Sequence, residues 1–183
     1  HFAFADTEPD AWGRRVIARS HAKARQQDPK LTPLTELDYL CAVDDYSRMG
    51  ALRLRDLKGN YLRTTPAGTR TTPPLIELER IMAACRAVEH SKESSEDMKY
   101  LLGNGTSLGG MRPKSTVLDA DGTLALGKFP SVEDSRSVTR GEVLALKLAQ
   151  IARIDAARSR IEMIADTPVA IVSRFDRTAT NAR

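Results

Sequence analysis

The chain has 183 residues, 41% of them hydrophobic and 28% charged, with a formal net charge of +4 at pH 7. That is enough for one sizeable core or two small ones without staples, and with aromatics at only 5% the core must be mostly Leu, Ile, Val, Ala and Met. The mildly basic balance suits a phosphate-bearing ligand or an acidic partner without demanding nucleic acid. No apolar run approaches a membrane span, and the start has no signal-peptide layout, so a cytoplasmic protein is expected.

The first half reads as helical. Thr7-Glu-Pro-Asp10 is a start signal, with Thr7 as the cap, proline in the first turn and an acid three residues on. It predicts a helix to about Gln27, with Trp12, Val16, Ile17 and Ala24 near one face. Arg14, Arg15, Arg19, Lys23 and Arg25 fall mostly elsewhere, and a solvated face is the expectation for them ahead of a phosphate or acidic partner. Thr35-Glu-Leu-Asp38 caps a second helix carrying Leu37, Leu40 and Cys41. Asp44 to Gly50 is turn chemistry leading into a short strand, Ala51 to Arg55; adjacent Asp44 and Asp45 lack a third metal ligand at useful spacing. Thr64 to Pro74 is a surface connection. Leu75, Leu78, Ile81, Met82, Cys85 and Val88 mark one amphipathic helix, ending near His90, and Ser91 to Asp97 resets the chain before Met98 to Leu102. Cys41 and Cys85 have no metal-ligand spacing and read as small buried hydrophobes.

The second half alternates differently. Gly103-Asn-Gly-Thr-Ser-Leu-Gly-Gly-Met-Arg-Pro-Lys114 places four glycines and a hydroxyl-rich turn ahead of a lysine. Backbone N–H groups freed by glycine can wrap an anion, and lysine supplies a point charge for phosphate. Lys114 to Leu118 and Thr123 to Phe129 are strands flanking the hairpin dipeptide Asp121-Gly122. Thr139-Arg-Gly-Glu142 is a capping box opening a helix with Leu144, Leu148 and Ile151 along one stripe. Ser159 to Ile164 is a strand, Asp166-Thr-Pro168 a turn, and Val169 to Phe175 a strand. The fold expected is α+β: a mainly helical N-terminal subdomain over 1–100, then an antiparallel sheet with one long helix over 101–183.

The order glycine loop, strand, strand, helix, strand, strand is the layout of a protein-kinase-like small lobe. The loop can cover phosphates, Lys128 brings a charge to the same place, and Glu142 can pair with Lys128 and hold it straight. The last strand would form an adenine edge.

These segments resemble the HipA family of toxin kinases, the toxin half of HipA–HipB toxin–antitoxin pairs. The resemblance runs through Pro9-Asp-Ala-Trp-Gly-Arg-Arg15, Arg48-Met-Gly-Ala-Leu52, Gly105-Thr-Ser-Leu-Gly-Gly-Met-Arg-Pro-Lys114, Lys128-Phe-Pro130 and Val172-Ser-Arg-Phe-Asp-Arg177. It implies a serine/threonine kinase using ATP and Mg2+, a protein substrate in the translation machinery, and restraint by a DNA-binding, HipB-like antitoxin. Ser107 matches a loop serine that family members autophosphorylate. Gly109, Gly110, Lys114 and Lys128 match the phosphate side, and Ser173 and Phe175 match the hinge around the base. Ser173 replaces an acidic residue of some members. The family's Asp-x-His-x-x-Asn motif, which supplies the catalytic Asp and a metal-binding Asn, does not occur in the 183 residues, so the metal ligands are expected in a large lobe that this chain lacks. The chain opens on His1 and closes on Arg183 just past an apolar strand, and is expected to be the N-terminal and nucleotide-binding portion of such a kinase, inactive alone. An alternative from another class is a non-catalytic interaction module of a split toxin–antitoxin system. A nucleic-acid binder ranks last, because stacking aromatics and a DNA-reading motif are missing.

Overall fold

The computed structural model describes residues 7–64, 77–104, 110–178, 180 and 182. Among them are helices α1 (Ala11–Gln27), α2 (Glu36–Ala42), α3 (Leu78–Glu89), α4 (Ser95–Asn104) and α5 (Val138–Ile151), with strands β1 (Lys114–Leu118), β2 (Leu124–Lys128), β3 (Ser159–Ile164) and β4 (Thr167–Ser173). The four strands form one antiparallel sheet in the order β1-β2-β4-β3, so the fold is α+β.

Helix α1 starts one step later than the sequence signal suggests. Asp10, not Thr7, is the cap: its carboxylate accepts from the Gly13 N–H at 2.6 Å. Thr7 is buried and otherwise engaged, its carbonyl accepting from the Arg48 guanidinium at 3.0 Å. The basic residues of α1 are not simply solvated either. Arg15 donates to the carbonyls of Val88 and Glu89, Arg19 to Ser91 Oγ and Glu93, and Lys23 to the Glu93 carbonyl. They satisfy orphan acceptors at the end of α3 and the turn after it, the favourable place for cations at a helix C-terminus. Thr35 and Asp38 close a capping box on α2.

No strand forms over Ala51 to Arg55. Only an isolated bridge joins Arg55 to Tyr61. The arginines that suggested alternation are drawn to side-chain partners: Arg53 pairs with Asp45, and both Arg53 and Arg55 lie against the Tyr61 ring, 3.3 and 4.2 Å from its centroid. Asp44 accepts from the Ser47 N–H at 2.9 Å and shapes the turn. The connection expected from Thr64 to Pro74 lies, beyond Thr64, outside the described residues, as does Leu75.

One core serves both halves. Trp12, Ile81 and Leu101 from the helices meet Val117, Phe129 and Ile171 from the sheet region in a single buried cluster. Burial of such side chains stabilises by roughly 1.5–3 kcal/mol each. Because cross-strand partners share a face, the register puts Val117 and Ala125 on the core face. It puts Lys114, Lys128, Ala170 and Ile161 in one row on the opposite face.

The first hairpin turns over 119–123, with Gly122 at φ +80° donating to the Asp119 carbonyl. The second turns at Ala165 and Asp166, both at positive φ (44° and 62°). Pro168 is therefore inside β4, opposite Met163, and not in a turn. A proline is tolerated there because β2 pairs with β4 only from Ala170 onward, leaving no ladder on that side for an N–H to serve. The expected capping box on α5 does not form. Ser137 is the cap, Thr139 Oγ1 donates to the Pro168 carbonyl at 2.9 Å, and Glu142 is turned toward Lys128. The stripe Leu144, Leu148 and Ile151 faces outward, while Thr139 and Val143 are the buried residues of α5. No helix among the described residues is long and apolar enough to cross a membrane.

Candidate functional site

Two lysines directly opposite one another on antiparallel strands should repel. Lys114 and Lys128 stand in that relation, and each is matched by an acid from a helix or its cap. Lys114 Nζ lies 2.8 Å from Asp10 Oδ2, with both side chains almost wholly buried. Lys128 is ion-paired with Glu142, and both remain partly open, at 27% and 32% exposure. The result is a row of two adjacent cations flanked by two acids, Asp10–Lys114–Lys128–Glu142, on the face of the sheet away from the core. Burial pulls the Lys114 ammonium below the usual lysine range. Asp10 opposes that shift and the neighbouring Lys128 adds to it.

The end of the glycine loop is fixed to this row. Gly110 sits at φ +103°, and its carbonyl accepts from the Trp12 N–H at 3.3 Å. A Cβ there would lie 3.3 Å from Lys114 Nζ, so both conformation and space call for glycine. Ser107 and Gly109 lie outside the described residues. The structure thus brings Gly110, Lys114, Lys128 and Glu142 together. Lys114 is buried against Asp10, whereas Lys128, held by Glu142, stays partly exposed.

At the far end of β4, Ser173 is exposed and its N–H donates to the Arg158 carbonyl at 2.9 Å. Phe175 lies beyond the strand, 86% exposed. The residues around it are locked. Arg174 donates to the Ser47 and Arg48 carbonyls at 2.7 and 3.2 Å and to Asp176 at 2.6 Å. Arg177 donates to the Arg48 and Gly50 carbonyls at 2.5 and 3.1 Å, and Asp176 accepts from the Gly50 N–H at 2.7 Å. Burial pushes the Asp176 carboxyl up. The hydrogen bonds from Arg174 and Gly50 and the charges of Arg174 and Arg177 outweigh it and hold the carboxyl at about 2. Residues 174–177 are clamped to the turn 46–50.

Residues 106–183 match the family model of the HipA-like C-terminal domain. Over this segment, the chain is similar to the HipA family. No curated protein and no solved structure gives a match.

Two groups around the site are not marked by the sequence. Asp10 was read only as part of a helix start, and nothing local signals that its second oxygen serves a lysine 104 positions away. Asp176 stood in a recognised segment, Arg174-Phe-Asp-Arg177, but the spacing does not reveal that both arginines and the acid converge on the turn 46–50. Among the described residues no three His, Cys, Asp or Glu side chains are grouped to hold a metal ion.

Proposed function

We propose that this chain is a HipA-family protein, the nucleotide-positioning part of a serine/threonine protein kinase that uses ATP. The observation that carries this reading is the Lys128–Glu142 ion pair, set between a strand and the following helix, beside a second lysine and the end of a glycine-rich loop. Phosphoryl transfer depends on positioning and charge neutralisation more than on covalent help, and a lysine held by a helix glutamate is a recurrent part of kinase sites.

Lys128 would donate to a phosphate oxygen of ATP, with Glu142 keeping the ammonium extended over the sheet. Gly110 gives the loop end the conformation it needs beside Lys114, and Asp10 keeps Lys114 neutralised. The backbone of Ser173 and Phe175 would border the base. Mg2+ would supply charge neutralisation on the phosphates when bound, but the described donors of this chain, with no three His, Cys, Asp or Glu side chains grouped, do not fit it. Ser107 is proposed as a regulatory phosphorylation site. A phosphate of charge about −1.5 to −2 beside the ATP phosphates would repel them. The substrate would be a serine or threonine of a translation protein, and a HipB-like antitoxin the restraining partner; both rest on the family.

The test is a titration of the chain with a fluorescent ATP analogue. Lys128→Ala is expected to weaken binding by roughly ten- to a hundredfold, the loss of a charged hydrogen bond worth about 1.5–3 kcal/mol. Equal affinities for the folded wild type and variant would remove Lys128 from a nucleotide site.

A further inference from the structure

We propose that the outward face of α5 is a docking surface for an acidic, leucine-bearing helix of a partner protein. Leu144, Leu148 and Ile151 are 59%, 55% and 78% exposed. At about 3.6 residues per turn they fall within roughly one sixth of the helix circumference, a continuous ridge. Ile154, just past the helix, and Met163, on the neighbouring strand, extend the apolar surface. Contiguous exposed patches of this kind mark interaction sites on soluble proteins.

Charge decides what covers it. Arg140 and Lys147 lie along one edge of the ridge, and Arg153 follows the helix. Lys147 and Arg153 make no ion pair among the described residues, and the side chain of Arg140 meets only Met163 Sδ, at 3.9 Å. The single acid of α5, Glu142, is turned to the opposite side and held by Lys128. The ridge is therefore apolar with an unanswered basic edge, the complement of a helix with leucines at i, i+4 and i+7 flanked by glutamate or aspartate. A two-fold dimer through the same ridge would gather the basic edges of both copies with no acid of α5 free to answer them, which argues against a second chain as the occupant. The ridge also has no aromatic anchor of the kind that seats helices at a lipid interface.

The experiment uses the full chain and two labelled helical peptides with identical leucines, one flanked by glutamates and one by lysines. The glutamate peptide is expected to bind at least about tenfold more tightly. Arg140→Glu with Lys147→Glu should reverse the preference, and Leu148→Asp should abolish both affinities; Leu148→Ala, milder at this exposed position, should weaken both while circular dichroism stays unchanged. The proposal is overturned if the two peptides bind equally or neither binds. It is also overturned if light scattering shows self-association that Leu148→Asp removes, or if the chain binds phosphatidylserine vesicles in place of the acidic peptide.

Discussion

At Asp10 a single carboxylate serves two elements, Oδ1 starting α1 and Oδ2 neutralising a buried lysine. Asp10→Ala would leave the Lys114 charge buried without a partner and the helix without its cap. A destabilisation of about 3–5 kcal/mol is expected, read as a lower urea midpoint. Asp10→Asn keeps a capping oxygen and loses only the charge, so it should fall between wild type and alanine. Asp176 yields a pH prediction. Its folded pKa is depressed, to about 2 against an ordinary value of 3.8. The stability it contributes is therefore present above pH ~4 and lost as pH falls from 4 toward 2. One and a half to two pKa units correspond to about 2 kcal/mol. Acid titrations of wild type and Asp176→Asn should differ by that amount at neutral pH and converge near pH 2. Curves that stay parallel would show that the clamp is not ionic.

The β3–β4 turn is built on two residues with a left-handed backbone. Ala165 and Asp166 both occupy positive φ, which costs little for asparagine or glycine and more for alanine. Ala165→Asn should stabilise the chain by about 0.5–1 kcal/mol, seen as a higher melting temperature; a lower one would contradict the turn geometry. Here the sequence misled because Asp166-Thr-Pro168 carries the residues of an ordinary turn, while the real turn uses an alanine. The same pattern recurs elsewhere. Elements defined by periodicity or strong local chemistry, such as α3 and the Thr35–Asp38 box, were legible. So were β1, β2 and their hairpin around Gly122. What was not legible depends on distant partners: Thr139 gives its hydroxyl to the Pro168 carbonyl and Glu142 its carboxylate to Lys128, so no capping box remains. The arginines of 53–55 leave a strand pattern for Asp45 and Tyr61. Glu142 and Lys128 could be paired from the sequence because the order strand, strand, helix resembles that of a kinase small lobe, whereas nothing supplied Asp10 for Lys114.

Over the whole molecule the decisive fact is the common core. Val117 and Ile171 on the sheet are covered by Trp12, Ile81 and Leu101 from the helices. Residues 101–183 expressed alone would bare that face, and are expected to aggregate or bind a hydrophobic dye; cooperative unfolding of that piece would show it has a core of its own. The 183-residue chain should show no phosphate transfer from radiolabelled ATP, since even with the proposed phosphate-positioning lysines it has no Asp-x-His-x-x-Asn sequence to complete the chemistry. Transfer abolished by an aspartate substitution within the chain would reverse that expectation. The row Asp10–Lys114–Lys128–Glu142 has one last consequence, for what happens when the protein is cut. Its two cations sit on adjacent strands, whereas its two anions arrive from segments far apart in the chain. Proteolysis ahead of α1 would strip one anion and leave the cations in place. A clipped species that stays folded should elute later than intact protein from a heparin column, and the delay should shrink as salt rises.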